Sequence, residues 1–141
     1  LPIHEQVMDL AKQKADALNI EDELILAADT IVVIDNEILG KPKDKADAFR
    51  MLSKLSGNTH YVYTGCCLKD GSKYDMFYDV TELKFKVLTE DEINTYIETK
   101  EPMDKAGAYG IQGLGRNLIE NYVGDYYNVM GLPLHKVKEH L

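Results

Sequence analysis

The sequence predicts an α/β domain in which a mixed parallel and antiparallel sheet is flanked by helices. Three observations carry this. Apolar runs of strand length, rich in β-branched residues, occupy 24–28 and 31–34. Segments with apolar residues at three- and four-residue spacings alternate with such runs along the chain. Turn signals at Asp35-Asn36 and at Lys69-Asp70-Gly71-Ser72 each join two runs at hairpin distance, so at least two strand pairs are antiparallel.

The first helix is expected over 2–18, where Ile3, Val7, Leu10, Ala11, Ala15 and Leu18 form one stripe and Lys12, Lys14 and Asp16 lie off it. A polar connection over 19–23 leads to the run at 24–28, which reads as a strand buried on both faces and ending at Asp29-Thr30. After the turn at Asp35-Asn36, Glu37-Ile38-Leu39 is a short return strand. Gly40-Lys41-Pro42-Lys43 then leaves the sheet, with Pro42 holding Lys41 extended. Asp44 can cap a second helix that buries Ala48, Phe49, Leu52 and Leu55, and Gly57 stands just past its end. A long strand over 59–68 pairs with another over 73–88. Thr89-Glu90-Asp91-Glu92 is a capping box opening a third helix through Ile93, Tyr96 and Ile97. The glycine-rich segment 101–115 lets backbone approach a ligand. A short strand over 118–123, a loop over 124–131 and a closing helix over 133–140 complete the chain.

At 141 residues, 45% hydrophobic and 28% charged, the chain has the composition of one globular domain. Its net charge of −8 argues against a protein that coats a nucleic acid polymer. No apolar run approaches the length that spans a bilayer. The two cysteines, Cys66 and Cys67, are adjacent in a strand and point to opposite faces, so no disulfide joins them. A reducing, cytoplasmic setting fits.

Asp29 is the sharpest candidate for chemistry. A carboxylate at a strand end can coordinate Mg²⁺ or accept a proton from water, and it can equally close an Asx turn. Thr30 beside it is a strand residue whose hydroxyl can touch a substrate. Lys41 and Lys43 can pair with phosphate oxygens, joined by Lys54, or all three can be solvated surface lysines. In the glycine-rich segment, Gln112 can present both donors and an acceptor to a base edge, while Asp104 and Lys105 can shape the loop. Tyr109, Tyr122, Tyr126 and Tyr127 can stack on a base or pack in the core. The four histidines lack metal-ligand spacing. Walker A, dinucleotide and zincin signatures all fail on spacing.

Several long stretches in one order resemble the Maf family of nucleoside triphosphate pyrophosphatases. They are Ala-Ala-Asp-Thr-Ile-Val at 27–32, Ile-Leu-Gly-Lys-Pro at 38–42, Leu-Ser-Gly at 55–57 and Val-Tyr-Thr-Gly at 62–65. Asp-Lys-Ala-Gly-Ala-Tyr-Gly-Ile-Gln-Gly at 104–113 and Gly-Asp-Tyr-Tyr-Asn-Val-Met-Gly-Leu-Pro-Leu at 124–134 continue the series. The resemblance implies a fold like that of the inosine triphosphatases and a cytoplasmic, dimeric enzyme. Such an enzyme uses Mg²⁺ or Mn²⁺ to split a nucleoside triphosphate into monophosphate and pyrophosphate. Ala-Tyr-Gly-Ile-Gln-Gly looks like the branch acting on dTTP and UTP. By that resemblance Asp29 is the proton acceptor and a metal ligand, Thr30 and Gln112 set substrate choice, and Lys41 contacts phosphate. Lys54, Asp104 and Lys105 line the pocket.

The family's opening strand and Ser-x-Ser-Pro-Arg-Arg loop precede the first helix and are not in this chain, which is therefore expected to be one N-terminally truncated domain over 1–141. The family's association with septum formation also implies a rival reading, a non-catalytic nucleotide-binding or regulatory protein.

Overall fold

The computed structural model describes residues 2–18, 20, 23–111, 113–124 and 126–141, with only the backbone described at Tyr126. The elements are α1 (Ile3–Ala17), β1 (Leu24–Ile34), β2 (Glu37–Leu39), α2 (Lys45–Leu55), β3 (Thr59–Asp70) and β4 (Lys73–Phe85). They continue with α3 (Glu90–Glu98), three 3₁₀ segments between Glu101 and Leu118, β5 (Ile119–Val123), α4 (Tyr126–Val129) and α5 (Leu134–His140). The strands form one sheet in the order β2-β1-β3-β4-β5, flanked by helices as the α/β reading expects. The β1–β2 and β4–β5 pairs are antiparallel, and a two-residue turn joins β3 to β4.

The chain divides into two compact units, and β1, β3 and β4 each contribute residues to both. The first comprises 1–30, 63–80 and 125–141. Here α1 lays Ala11 and Ala15 on Ile25, Ala27 and Cys67. A separate cluster gathers Val137 of α5 with Cys66, Leu68 and Phe77, with Ala28 and Leu132 packed against it. The adjacent cysteines thus fall in different clusters, as strand alternation requires, and both are free. Lys136 donates to the Tyr78 carbonyl (2.8 Å), and His140 stacks on Phe77 while meeting Asp75 (2.7 Å), so α5 is tied along β4.

Two expectations change in this unit. The apolar run at 24–28 does not stop at Asp29, because 24–34 is one strand. Nor is that run buried on both faces: Ile25 and Ala27 are buried beneath α1, whereas Leu24 and Leu26 are exposed. An apolar run by itself does not say how many of its faces a neighbour covers. The helical stripe is likewise narrower than expected, with Val7, Ala11 and Ala15 buried and Leu10 and Leu18 exposed.

The second unit comprises 31–62 and 81–124. Ile31, Val32, Val33 and Ile34 are all buried here. The turn into β2 has φ of 48° at Asp35 and 64° at Asn36, the doubly left-handed pattern of a tight hairpin, and it pairs Ile34 with Glu37. Asp44 caps α2 by accepting from Asp47 N–H (2.7 Å), and α2 buries Ala48, Met51, Leu52 and Leu55. The capping box at Thr89 and Glu92 forms in both directions. His60, Phe85 and Tyr109 meet edge-to-face in the core.

His60 is fully buried, and its Nε2 meets the Tyr109 hydroxyl at 2.7 Å. Burial pushes its pKa down to about 4, so the folded state keeps the ring neutral where an unfolded chain protonates it. The unfolded state therefore binds more protons from pH 6.5 down to about 4, and stability is expected to fall through that window. The size is about 3 kcal/mol for a shift of this order. Urea unfolding at stepped pH checks it: His60→Leu should flatten this region of the profile, and an unchanged slope would exclude His60 as its source.

Candidate active site

Asp29 and Thr30 lie in the middle of β1, where neighbouring side chains leave opposite faces of the sheet. Asp29 shares its face with Ile25 and Ala27, the face that α1 covers. From α1 the Lys14 ammonium donates to Asp29 Oδ1 (2.6 Å) and to the Ala28 carbonyl (3.2 Å). Asp29 is 20% exposed and Lys14 57%, so the carboxylate is sheltered while the ammonium reaches it from the solvent side. Short charge-assisted bonds of this kind fix orientation. With Oδ1 engaged, Oδ2 has no protein partner among the described residues and is left to accept from water or meet a cation.

Lys14 is a functional candidate that the sequence pattern passed over as a polar-face residue. The available signal was its place between Ala11 and Ala15, both buried, which puts it at the rim of the packed stripe rather than diametrically away from it. The Asx turn considered for Asp29 does not form, since Asp29 lies within a continuous strand.

Thr30 points the other way. Its hydroxyl lies 3.0 Å from that of Thr64 on β3, and Thr64 donates to the Asn128 carbonyl (2.8 Å). The same carbonyl accepts from Gly131 N–H (3.0 Å). Gly131, at φ +101°, brings its backbone close to Thr30: a Cβ there would sit 3.6 Å from Thr30 Oγ1.

The remaining predicted residues belong to the second unit, except Gln112, which lies outside the described residues. Lys41 is exposed on the loop after β2, while Pro42 beside it is buried. Gly107 N–H donates to the Gly40 carbonyl (3.0 Å), so the Gly40-Lys41-Pro42 loop is tied to the glycine-rich segment carrying Asp104 and Lys105. Those two pair with each other at 3.3 Å. Lys54 is otherwise engaged: its ammonium meets Glu37 Oε1 at 2.6 Å, and Arg50 takes the other oxygen of the same carboxylate at 2.9 Å. Hydrogen bonds from Lys54 and then Arg50 hold the Glu37 pKa below the usual carboxylate range.

Glu101 was also not singled out in the sequence. It accepts from the Tyr96 hydroxyl (3.2 Å) and from Leu114 and Gly115 N–H (3.3 Å each), and Tyr96 in turn accepts from Gly110 N–H (3.1 Å). Gly110, Leu114 and Gly115 are therefore all anchored on one phenol–carboxylate pair. Tyr109 is buried against His60 and is a core residue rather than a stacking surface for a base, whereas Tyr122 and Tyr127 are exposed. Among the described residues no three His, Cys, Asp or Glu side chains are grouped to hold a metal ion, and no helix is long and apolar enough to cross a membrane.

Comparison with known proteins agrees with the long sequence stretches. The chain is 53% identical over 137 residues to the dTTP/UTP pyrophosphatase of Bacillus cytotoxicus, covering 96% of this chain and 72% of that protein. Proteins of the same name from Bacillus cereus and Bacillus anthracis are 50% identical over the same shares of each chain. A family model described as Maf-like protein matches residues 2–141. With a match of that extent, the chain belongs to the Maf family.

Proposed function

We propose that this protein is a nucleoside triphosphate pyrophosphatase that hydrolyses dTTP and UTP to the monophosphate and pyrophosphate. The observation that carries the reading is the 53% identity, over 96% of the chain, to an enzyme named for that activity. The sheltered Asp29 carboxylate supports it, since it has one oxygen held by Lys14 and the other open.

In this reading water attacks the α-phosphorus, the bond from that phosphorus to the β-bridging oxygen breaks, and pyrophosphate leaves. Asp29 accepts the proton that water loses as its oxygen bonds to phosphorus. Lys14 holds Asp29 in place through Oδ1, so a water donating to Oδ2 is met in a fixed direction. Lys41, exposed on its loop, contacts phosphate as a cation. Thr30 and Gln112 set substrate choice. Asp104 and Lys105 contribute to the pocket wall, while the Lys54 ammonium, bound to Glu37, fixes that carboxylate beside Arg50.

The residues suit a divalent cation that arrives with the triphosphate rather than one held in a protein cage. Magnesium commonly keeps several waters and binds through one or two carboxylates together with substrate phosphates. Among the described residues, the Asp29 carboxylate is a ligand suited to it. Mg²⁺ or Mn²⁺ so bound supplies charge neutralisation on the phosphates. The same reading places the enzyme in the cytoplasm, with its substrates, as a homodimer.

Pyrophosphate release from dTTP, UTP, CTP, ATP and GTP, with Mg²⁺ or Mn²⁺, tests the assignment. Turnover of dTTP and UTP well above ATP and GTP is expected. Turnover of none of them by folded protein would reject it in favour of nucleotide binding without chemistry.

A further inference from the structure

We propose that Thr64 is a positioning residue that fixes the Thr30 hydroxyl as a hydrogen-bond acceptor toward the substrate. The inference rests on the functional reading above, in which Thr30 meets the nucleotide, and adds to it the direction in which Thr30 bonds.

A threonine hydroxyl has one proton to donate and two lone pairs to accept with. Thr64 donates its proton to the Asn128 carbonyl, which cannot donate in return (2.8 Å). The 3.0 Å bond between the two hydroxyls must then be donated by Thr30. The Asn128 carbonyl is further held by Gly131 N–H (3.0 Å), so the end of the relay is anchored on backbone. Thr64 and Asn128 are both fully buried, so water does not compete for the Thr64 proton. Thr30 is half-buried, and its proton is spent inward. What it presents outward is lone pairs only.

A group that bonds to Thr30 must accordingly be a donor. The donors that dTTP and UTP have in common are the N3–H of the base and the 3′-hydroxyl of the sugar; the 2′-hydroxyl is not shared. Both sources offer the same chemistry to a locked acceptor. CTP, whose N3 is an acceptor, would set two lone pairs against each other across the contact with no proton between them, whereas 3′-deoxy-UTP would leave the Thr30 acceptor without a partner.

Steady-state kinetics separate the sources and test the relay. UTP would be compared with CTP, which lacks N3–H, and with 3′-deoxy-UTP, in the wild type, Thr64→Val and Thr64→Ser. One of the two analogues should lose about tenfold in kcat/KM against UTP in the wild type. In Thr64→Val the Thr30 proton is released from its inward partner. With the base as the source, CTP N3 can accept it and CTP should regain most of its loss. With the sugar as the source, 3′-deoxy-UTP offers no acceptor, and the ratio should narrow because UTP itself loses its fixed partner, mainly in KM. Thr64→Ser keeps the hydroxyl and should behave as wild type. Thr64→Cys, with a weakly bonding thiol, stands in if the valine variant does not fold.

Equal wild-type use of UTP and both analogues, or analogue ratios that survive unchanged in Thr64→Val or Thr64→Cys, would overturn the inference alone. A wild-type chain that releases no pyrophosphate from UTP would instead overturn the functional reading, and this inference with it.

Discussion

Asp29→Asn is expected to lower the rate of pyrophosphate release by about a thousandfold, within the range for losing a general base. The substitution keeps Oδ1 as an acceptor for Lys14 (2.6 Å) and keeps the volume, so the geometry around β1 should persist. Only the charge and the basic oxygen are lost. The pair is partly exposed on the aspartate side and mostly exposed on the lysine side, so its contribution to stability is small, about 1 kcal/mol or less. Turnover and stability should therefore separate: rate collapses while the thermal midpoint barely moves. Lys14→Met gives the complementary result. It leaves the base in place without its holder, and a smaller loss in rate than Asp29→Asn is expected. Retained turnover in Asp29→Asn, measured on folded protein, would remove Asp29 from the reaction.

Gly65→Ala is expected to be the most damaging small substitution in the first unit. Gly65 lies in β3 directly beneath α1, and a Cβ there would meet the Val7 carbonyl and come within 2.6 Å of the Met8 nitrogen. These are backbone atoms of a helix whose Val7, Ala11 and Ala15 are fully buried, so neither a rotamer change nor a side-chain shift relieves the overlap. The helix would have to move off the strand, and overpacking of this kind costs about 3 kcal/mol or more. Because Lys14 reaches Asp29 from the same helix, activity should fall together with stability. Gly40→Ala is the control: nothing lies within 4 Å of a Cβ there and its φ is ordinary. Denaturant unfolding of both variants decides the matter. A Gly65→Ala midpoint equal to that of Gly40→Ala would mean that α1 does not bear on the strand at this point.

Much of the fold is local chemistry and was readable as such. The Asp44 cap, the Thr89–Glu92 capping box, the Asp35-Asn36 turn and the alternation that separates Cys66 from Cys67 each depend on residues a few positions apart. The extent of β1 was not readable, because Asp29 and Thr30 interrupt its apolar pattern while leaving its hydrogen bonding intact. The one-turn helix α4 also fell in a segment expected to be loop, where four residues carry too little periodicity to register.

The candidate site divides along the same line. Sequence by itself determined the family stretches, the identity of Asp29, Thr30 and Lys41 as candidates, and the local turns and caps that frame them. Tertiary structure alone decided which partners Asp29 and Thr30 meet. It gave Asp29 a lysine fifteen positions away and Thr30 a hydroxyl thirty-four positions away, and it tied Thr64 to a carbonyl sixty-four positions on. It also turned Lys54 toward Glu37 and drew Leu114 and Gly115 onto Glu101 and Gly110 onto Tyr96. Caps and turns are set by residues within one turn of backbone, which composition and spacing record. Hydrogen-bond direction and charge pairing between distant segments depend on which faces the packed core brings together, and short-range periodicity carries no trace of that.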